Sequence, residues 1–138
     1  MEGLQGLLDL AGALESLDRA ERIETLTDYA RRYQPVPEDV AGKPYPERNK
    51  VPGCESEVYA FWVPDSGVRF AVENRQGVSA MALAAILQEH FVGPRSTEIA
   101  QVPDEIVYRL FGRELSMGKS MGLMNMVATA KALAGAAK

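Results

Sequence analysis

Apolar residues recur at two different periods along the chain, and the change of period separates helices from a hairpin. Leu4, Leu7 or Leu8, Ala11 and Leu14 fall at helical spacing, which predicts a helix over Gly3–Leu14. Asp18, followed three positions later by Glu21, reads as a capping box; behind it Ile23, Leu26, Ala30 and Tyr33 form one stripe of a second helix. Pro35 and Pro37 end that helix, because proline has no N–H to donate. From Val58 the period becomes two. Val58, Ala60 and Trp62 alternate with Tyr59, Phe61 and Val63, and apolar residues on both faces imply a strand covered on both sides. Pro64-Asp65-Ser66-Gly67 is a turn. Val68, Phe70 and Val72 then alternate with Arg69, Ala71 and Glu73, which predicts the second strand of an antiparallel hairpin with one wet face.

Helical spacing resumes over Val78–Phe91, where Ala80, Leu83, Ile86 or Leu87, and His90 share one broad face until Gly93-Pro94 stops it. A short helix is expected over Ser96–Gln101 and another over Pro103–Phe111, with Pro103 in its first turn. Ser116 caps a last helix whose core stripe is Leu123, Met126 or Val127, Ala130 and Leu133. Helices segregated around one hairpin indicate an α+β fold, a small antiparallel β-sheet packed against several helices. The 138 residues suit a single domain over 1–138, with the amino-terminal helix of residues 1–17 expected at its periphery. Between Gln34 and Pro52 runs a proline-rich connection that only packing on the rest of the fold can order.

Charge and composition remove several function classes. The formal net charge is −4 and no basic face is visible, so neither nucleic acid nor an anionic membrane surface is an expected partner. No apolar stretch approaches a membrane span, and the first residues do not follow a leader pattern, which makes the cytosol the default compartment. The chain holds 1 Cys and 1 His. A thiolate or imidazole metal site needs three or four such ligands, and an iron–sulfur cluster usually takes four thiolates, so neither set is available and no disulfide can form within the chain.

A solitary cysteine is either a small buried hydrophobe or a reactive thiol. Cys54 lies in Val51-Pro52-Gly53-Cys54-Glu55-Ser56-Glu57-Val58, between the proline-rich connection and the first strand. Its polar neighbours argue for at least intermittent exposure at a loop tip. Gly53 permits unusual backbone angles and close approach, while Pro52 stiffens the other side; the same pair is also compatible with a plain turn. Glu55 and Glu57 would raise the thiol pKa if close, and Arg48 and Lys50 would lower it. A cysteine hydrolase would require a histidine base, but His90 sits in an amphipathic helix beside Phe91 and reads as a packing residue. Met117, Met121 and Met124 recur at helical spacing, either as a core stripe or as an adaptable apolar patch near the cysteine or a partner.

The segment Gly53-Cys54-Glu55-Ser56-Glu57-Val58 resembles the G-C-x-S-x-V signature of the SufE family. Leu115-Ser116-Met117-Gly118-Lys119-Ser120-Met121-Gly122-Leu123 is similar to the segment that opens that family's last helix, and the helix from Arg22 to Tyr33 with its proline-rich sequel sits where the family has one. The resemblance runs from about residue 18 to the end. It implies a small α+β protein with a fold like that of IscU-type scaffolds. It implies binding to a SufS-type cysteine desulfurase, whose pyridoxal phosphate stays with that partner, so that this chain carries no cofactor. Cys54 would accept the outer persulfide sulfur, supported by Pro52, Gly53, Glu55 and Ser56, and pass it to a SufBCD-type scaffold. Lys119, where the family often has Arg, and Gly122 would support docking; lysine keeps the charge but not the planar fork. Where the family often shows Gly, Asp or Asn, Ser, Asp or Glu, Ala before its middle helix, this chain has Glu73-Asn74-Arg75-Gln76-Gly77. A binding module that stimulates a desulfurase without accepting sulfur is the alternative; a cluster scaffold is disfavoured by the single cysteine.

Overall fold

The computed structural model describes residues 3–54, 57–73, 77–113 and 115–137. Its helices are α1 (Gly3–Glu15), α2 (Arg19–Arg31), α3 (Val78–His90), α4 (Ile106–Phe111) and α5 (Met117–Ala136), and its strands are β1 (Val58–Val63) and β2 (Gly67–Val72). Two 3₁₀ segments cover Glu47–Asn49 and Gly93–Gln101. This is the α+β arrangement expected, one antiparallel hairpin with helices around it.

Local chemistry sets the helix starts. Asp18 accepts from the Glu21 N–H at 2.8 Å, and the Glu21 carboxylate accepts from the Asp18 N–H at 3.3 Å, the reciprocal pair of a capping box. The Ser116 hydroxyl accepts from the Lys119 N–H and opens α5. The 3₁₀ segment begins at Gly93, within the expected stop, because Pro94 occupies a first-turn position where a missing N–H costs nothing. Helix α4 begins at Ile106 rather than Pro103; a turn closed by Ile106 N–H to the Pro103 carbonyl precedes it.

Helix α3 runs through the centre. Ala80, Ala82, Leu83, Ala84, Ala85, Ile86, Leu87 and His90 are all buried, so the expected single broad face is instead an almost complete girth. Its alanines allow α1, α2, α5 and β2 to approach from different sides. Helix α1, expected at the periphery, contributes Leu7, Ala11 and Leu14 to the same core. On α2 only Leu26 is buried, with Ala30 and Tyr33 packed at its margin. Ile23, expected on that stripe, is 52% exposed; the contact with α3 buries a narrower face than the periodicity suggested.

The proline-rich connection completes the sheet. Val36 N–H donates to the Phe70 carbonyl at 2.9 Å, the Tyr33 hydroxyl donates to that carbonyl and accepts from Val72 N–H, and the Gln88 side chain accepts from Phe70 N–H. On the β1 side, Val51 N–H donates to the Val58 carbonyl at 2.8 Å and the Asn49 amide donates to the Ala60 carbonyl at 2.9 Å. Much of both open edges of the two-stranded ribbon is thereby paired. Val36 also folds over Tyr59, Phe61 and Ala71, with the Tyr45 ring tilted against Tyr59 at 5.2 Å between centroids, forming a second, smaller core. The face of β2 expected to be wet is therefore covered at Ala71, while β1 is covered on both faces as its pattern implied.

Candidate functional site: the Cys54 loop on helix α5

Buried Val51 and Val58 close the base of the cysteine loop, joined by their backbone bond and by the neighbouring Lys50–Tyr59 bridge. Pro52 and Gly53 stand out to solvent, and Gly53 takes φ +72°, a conformation that favours glycine. The chain then turns inward and lays Cys54, half-buried, on the second turn of α5. Gly122 makes that contact possible. A Cβ there would lie 3.1 Å from the Cys54 Cα and 3.5 Å from its Sγ, so any larger residue would lift the loop. The Cys54 S–H donates to the Gly122 carbonyl at 3.4 Å, and the Asn125 side-chain Nδ2 donates to the Pro52 carbonyl at 2.8 Å.

This seat favours the neutral thiol. Burial pushes the Cys54 thiol up to about 11, and a carbonyl oxygen facing the sulfur would repel a thiolate. Of the charges weighed from the sequence, the three on described residues are engaged elsewhere: Lys50 and Glu57 face each other at 3.9 Å at the loop base, and Arg48 lines a separate cavity with Phe61 and Trp62. At pH 7 roughly one thiol in ten thousand is ionised, against a few per cent for an ordinary cysteine. The alkylation rate of the isolated protein is therefore expected to rise about tenfold per pH unit from neutrality and to keep rising beyond the ordinary cysteine pKa of about 8.5. A rate that levels off with that of a free thiol would contradict the shielding.

Around the seat lies an apolar surface. Met117, Met121 and Met124 are 79%, 51% and 36% exposed, so the core-stripe reading fails. The α5 residues that do enter the core are Leu123, Met126, Val127, Ala130 and Ala134. Met121 borders the loop, its Sδ lying 3.9 Å from where a Gly53 Cβ would be. His90 is elsewhere and engaged: its Nδ1–H donates to the Ile86 carbonyl at 2.8 Å, as befits a packing residue. Among the described residues no group of three His, Cys, Asp or Glu side chains is placed to hold a metal ion, and no helix is long and apolar enough to cross a membrane.

Residues 8–134 match the SufE family, an Fe-S metabolism associated domain. The chain belongs to the SufE family. Membership places it in iron–sulfur metabolism, and the match begins ten residues earlier than the sequence motifs suggested, taking in most of α1. A structure determined in solution, that of a hypothetical protein from Thermus thermophilus, shares the fold with a TM-score of 0.72 at 23% identity, covering 99% of this chain and 98% of that one. No curated protein matches the chain.

In this SufE protein the two motif segments meet: Gly53-Cys54 from one and Gly122 from the other are in direct contact. Lys119 is exposed one turn before that contact, with its backbone N–H used by the Ser116 cap. Glu55, Ser56 and the Asn74-Arg75-Gln76 stretch lie outside the described residues. Sequence reasoning did not single out Asn125, whose amide carries no motif signal and is recognisable only from the carbonyl it holds.

Proposed function

We propose that this SufE protein is a sulfur carrier: Cys54 accepts a sulfur atom from the persulfide of a SufS-type cysteine desulfurase, stimulates that enzyme, and delivers the sulfur to a SufBCD-type scaffold in the cytosol. The observation that carries the reading is the seating of the only thiol, at an exposed Pro52-Gly53 turn, beside an uncovered ridge of methionines. Methionine side chains adapt to a partner's shape, so a donor can settle on α5 within reach of the cysteine. Lys119 and Gly122 would support that docking, the first by charge and the second by keeping the loop low on the helix.

The transfer needs no cofactor of the carrier's own. Cys54 first gives up its proton to solvent or to a base of the donor. Its thiolate then attacks the outer sulfur of the donor persulfide; a new Cys54 S–S bond forms as the donor's S–S bond breaks, and the donor cysteine leaves as thiolate. Oxidation state is conserved across the pair. Because the resting thiol is held neutral, ionisation belongs to the docked complex, where the loop leaves the Gly122 carbonyl. The test is intact mass measurement after mixing the protein with desulfurase, pyridoxal phosphate and free cysteine. One added sulfur atom on Cys54, removable by reductant, is expected. An unchanged mass defeats the carrier reading.

A further inference from the structure

The contacts that seat the cysteine loop are of different kinds. Gly53 and Gly122 act by lacking a side chain, and the Cys54 S–H bond to Gly122 spans 3.4 Å. Among the described side chains of α5, Asn125 is the one that holds the loop by a hydrogen bond, 2.8 Å from Nδ2 to the Pro52 carbonyl. Because the acceptor is a carbonyl, only the NH₂ end of the amide can face it. The bond lies at the exposed limb of the loop, two residues before the cysteine, while Val51 behind it is already fixed in the core. Releasing it frees the limb without disturbing the buried base.

We propose that Asn125 is a positioning residue for Cys54: its amide latches the loop by the Pro52 carbonyl and so sets how often the thiol leaves its seat on Gly122 to meet a sulfur donor. The latch is a property of the free protein; its consequence for sulfur uptake rests on the carrier reading. One exposed hydrogen bond shifts an opening equilibrium by about two- to tenfold. Removing it has a second signature, because an open thiol sheds the burial that holds it neutral and its reactivity profile moves to lower pH.

The experiment is iodoacetamide alkylation of the free, full-length protein across a pH series, followed by mass, beside a thermal melt. Asn125→Ala is expected to react about two- to tenfold faster at neutral pH, with the profile displaced to lower pH and the melting temperature unchanged. Asn125→Leu, close in size to asparagine, uncharged and unable to donate, is expected to behave in the same way. Rates and profiles superimposable on the wild type would overturn the proposal, as would acceleration that appears only with a lowered melting temperature. Failure of the carrier reading shows separately, as wild-type protein that gains no sulfur from the desulfurase while these alkylation differences persist.

Discussion

A Cys54→Ser protein is expected to take up no sulfur at all, however long it is incubated with desulfurase and cysteine. The chain has 1 Cys, so no second thiol can substitute, and a serine hydroxyl neither ionises in the accessible range nor attacks a sulfane sulfur as a thiolate does. The fold should tolerate the change. The site is half-buried, and a serine hydroxyl can donate to the Gly122 carbonyl as the thiol does. The loss is thus a loss of chemistry, visible as an intact mass that never changes. The same variant separates the two functional classes. A carrier that accelerates the desulfurase by emptying its persulfide loses that acceleration with Cys54. A module that acts only by binding keeps it, and stimulation at the wild-type level by Cys54→Ser would refute sulfur acceptance as the mechanism.

Phe70→Ala carries the largest expected cost in stability. Phe70 is fully buried at the middle of β2, against α3, and its backbone already gives and receives the bonds that tie the hairpin to Val36, Tyr33 and Gln88. Deleting the ring leaves a cavity at the junction of sheet, connection and central helix, at about 3–5 kcal/mol. Against a typical total of about 5–15 kcal/mol this is about a fifth or more of what holds a small domain folded. With a urea slope of about 1–3 kcal/mol/M the unfolding midpoint should fall by roughly 2 M. A midpoint within a few tenths of the wild type would mean that the ring is not structurally central.

Patterns confined to one element were readable in the sequence. The Asp18–Glu21 box, the alternation in Val58–Val63 and the Ser116 cap each depend on a few neighbouring residues, and each stands in the structure. What depended on distant partners was not readable. The girth of α3 is set by how many elements crowd against its alanines, which no 3.6-residue period expresses. Ala71 is covered because Val36 folds over it from a segment that looked merely proline-rich. The methionines point outward because Leu123, Met126 and Val127 take the core instead, and hydropathy cannot choose between two apolar stripes on one helix. The candidate site divides in the same way. Cys54 and Gly53 announce themselves through composition and a turn signal. The reason for Gly122 is a distance to a residue 68 positions away, and Asn125 is evident only from the loop it touches.

The backbone bond from Val51 to Val58 has a further consequence for the choreography of transfer. Three residue steps lead from Val51 to Cys54, and extended chain spans at most about 3.6 Å per residue, so the leash is about 10 Å long. Unlike a cofactor on a long swinging arm, this cysteine has to be visited. On the proposed carrier function, a donor would have to push its own cysteine deep against this surface and an acceptor would have to do the same in turn, so the two deliveries would compete for one landing place and happen one after the other.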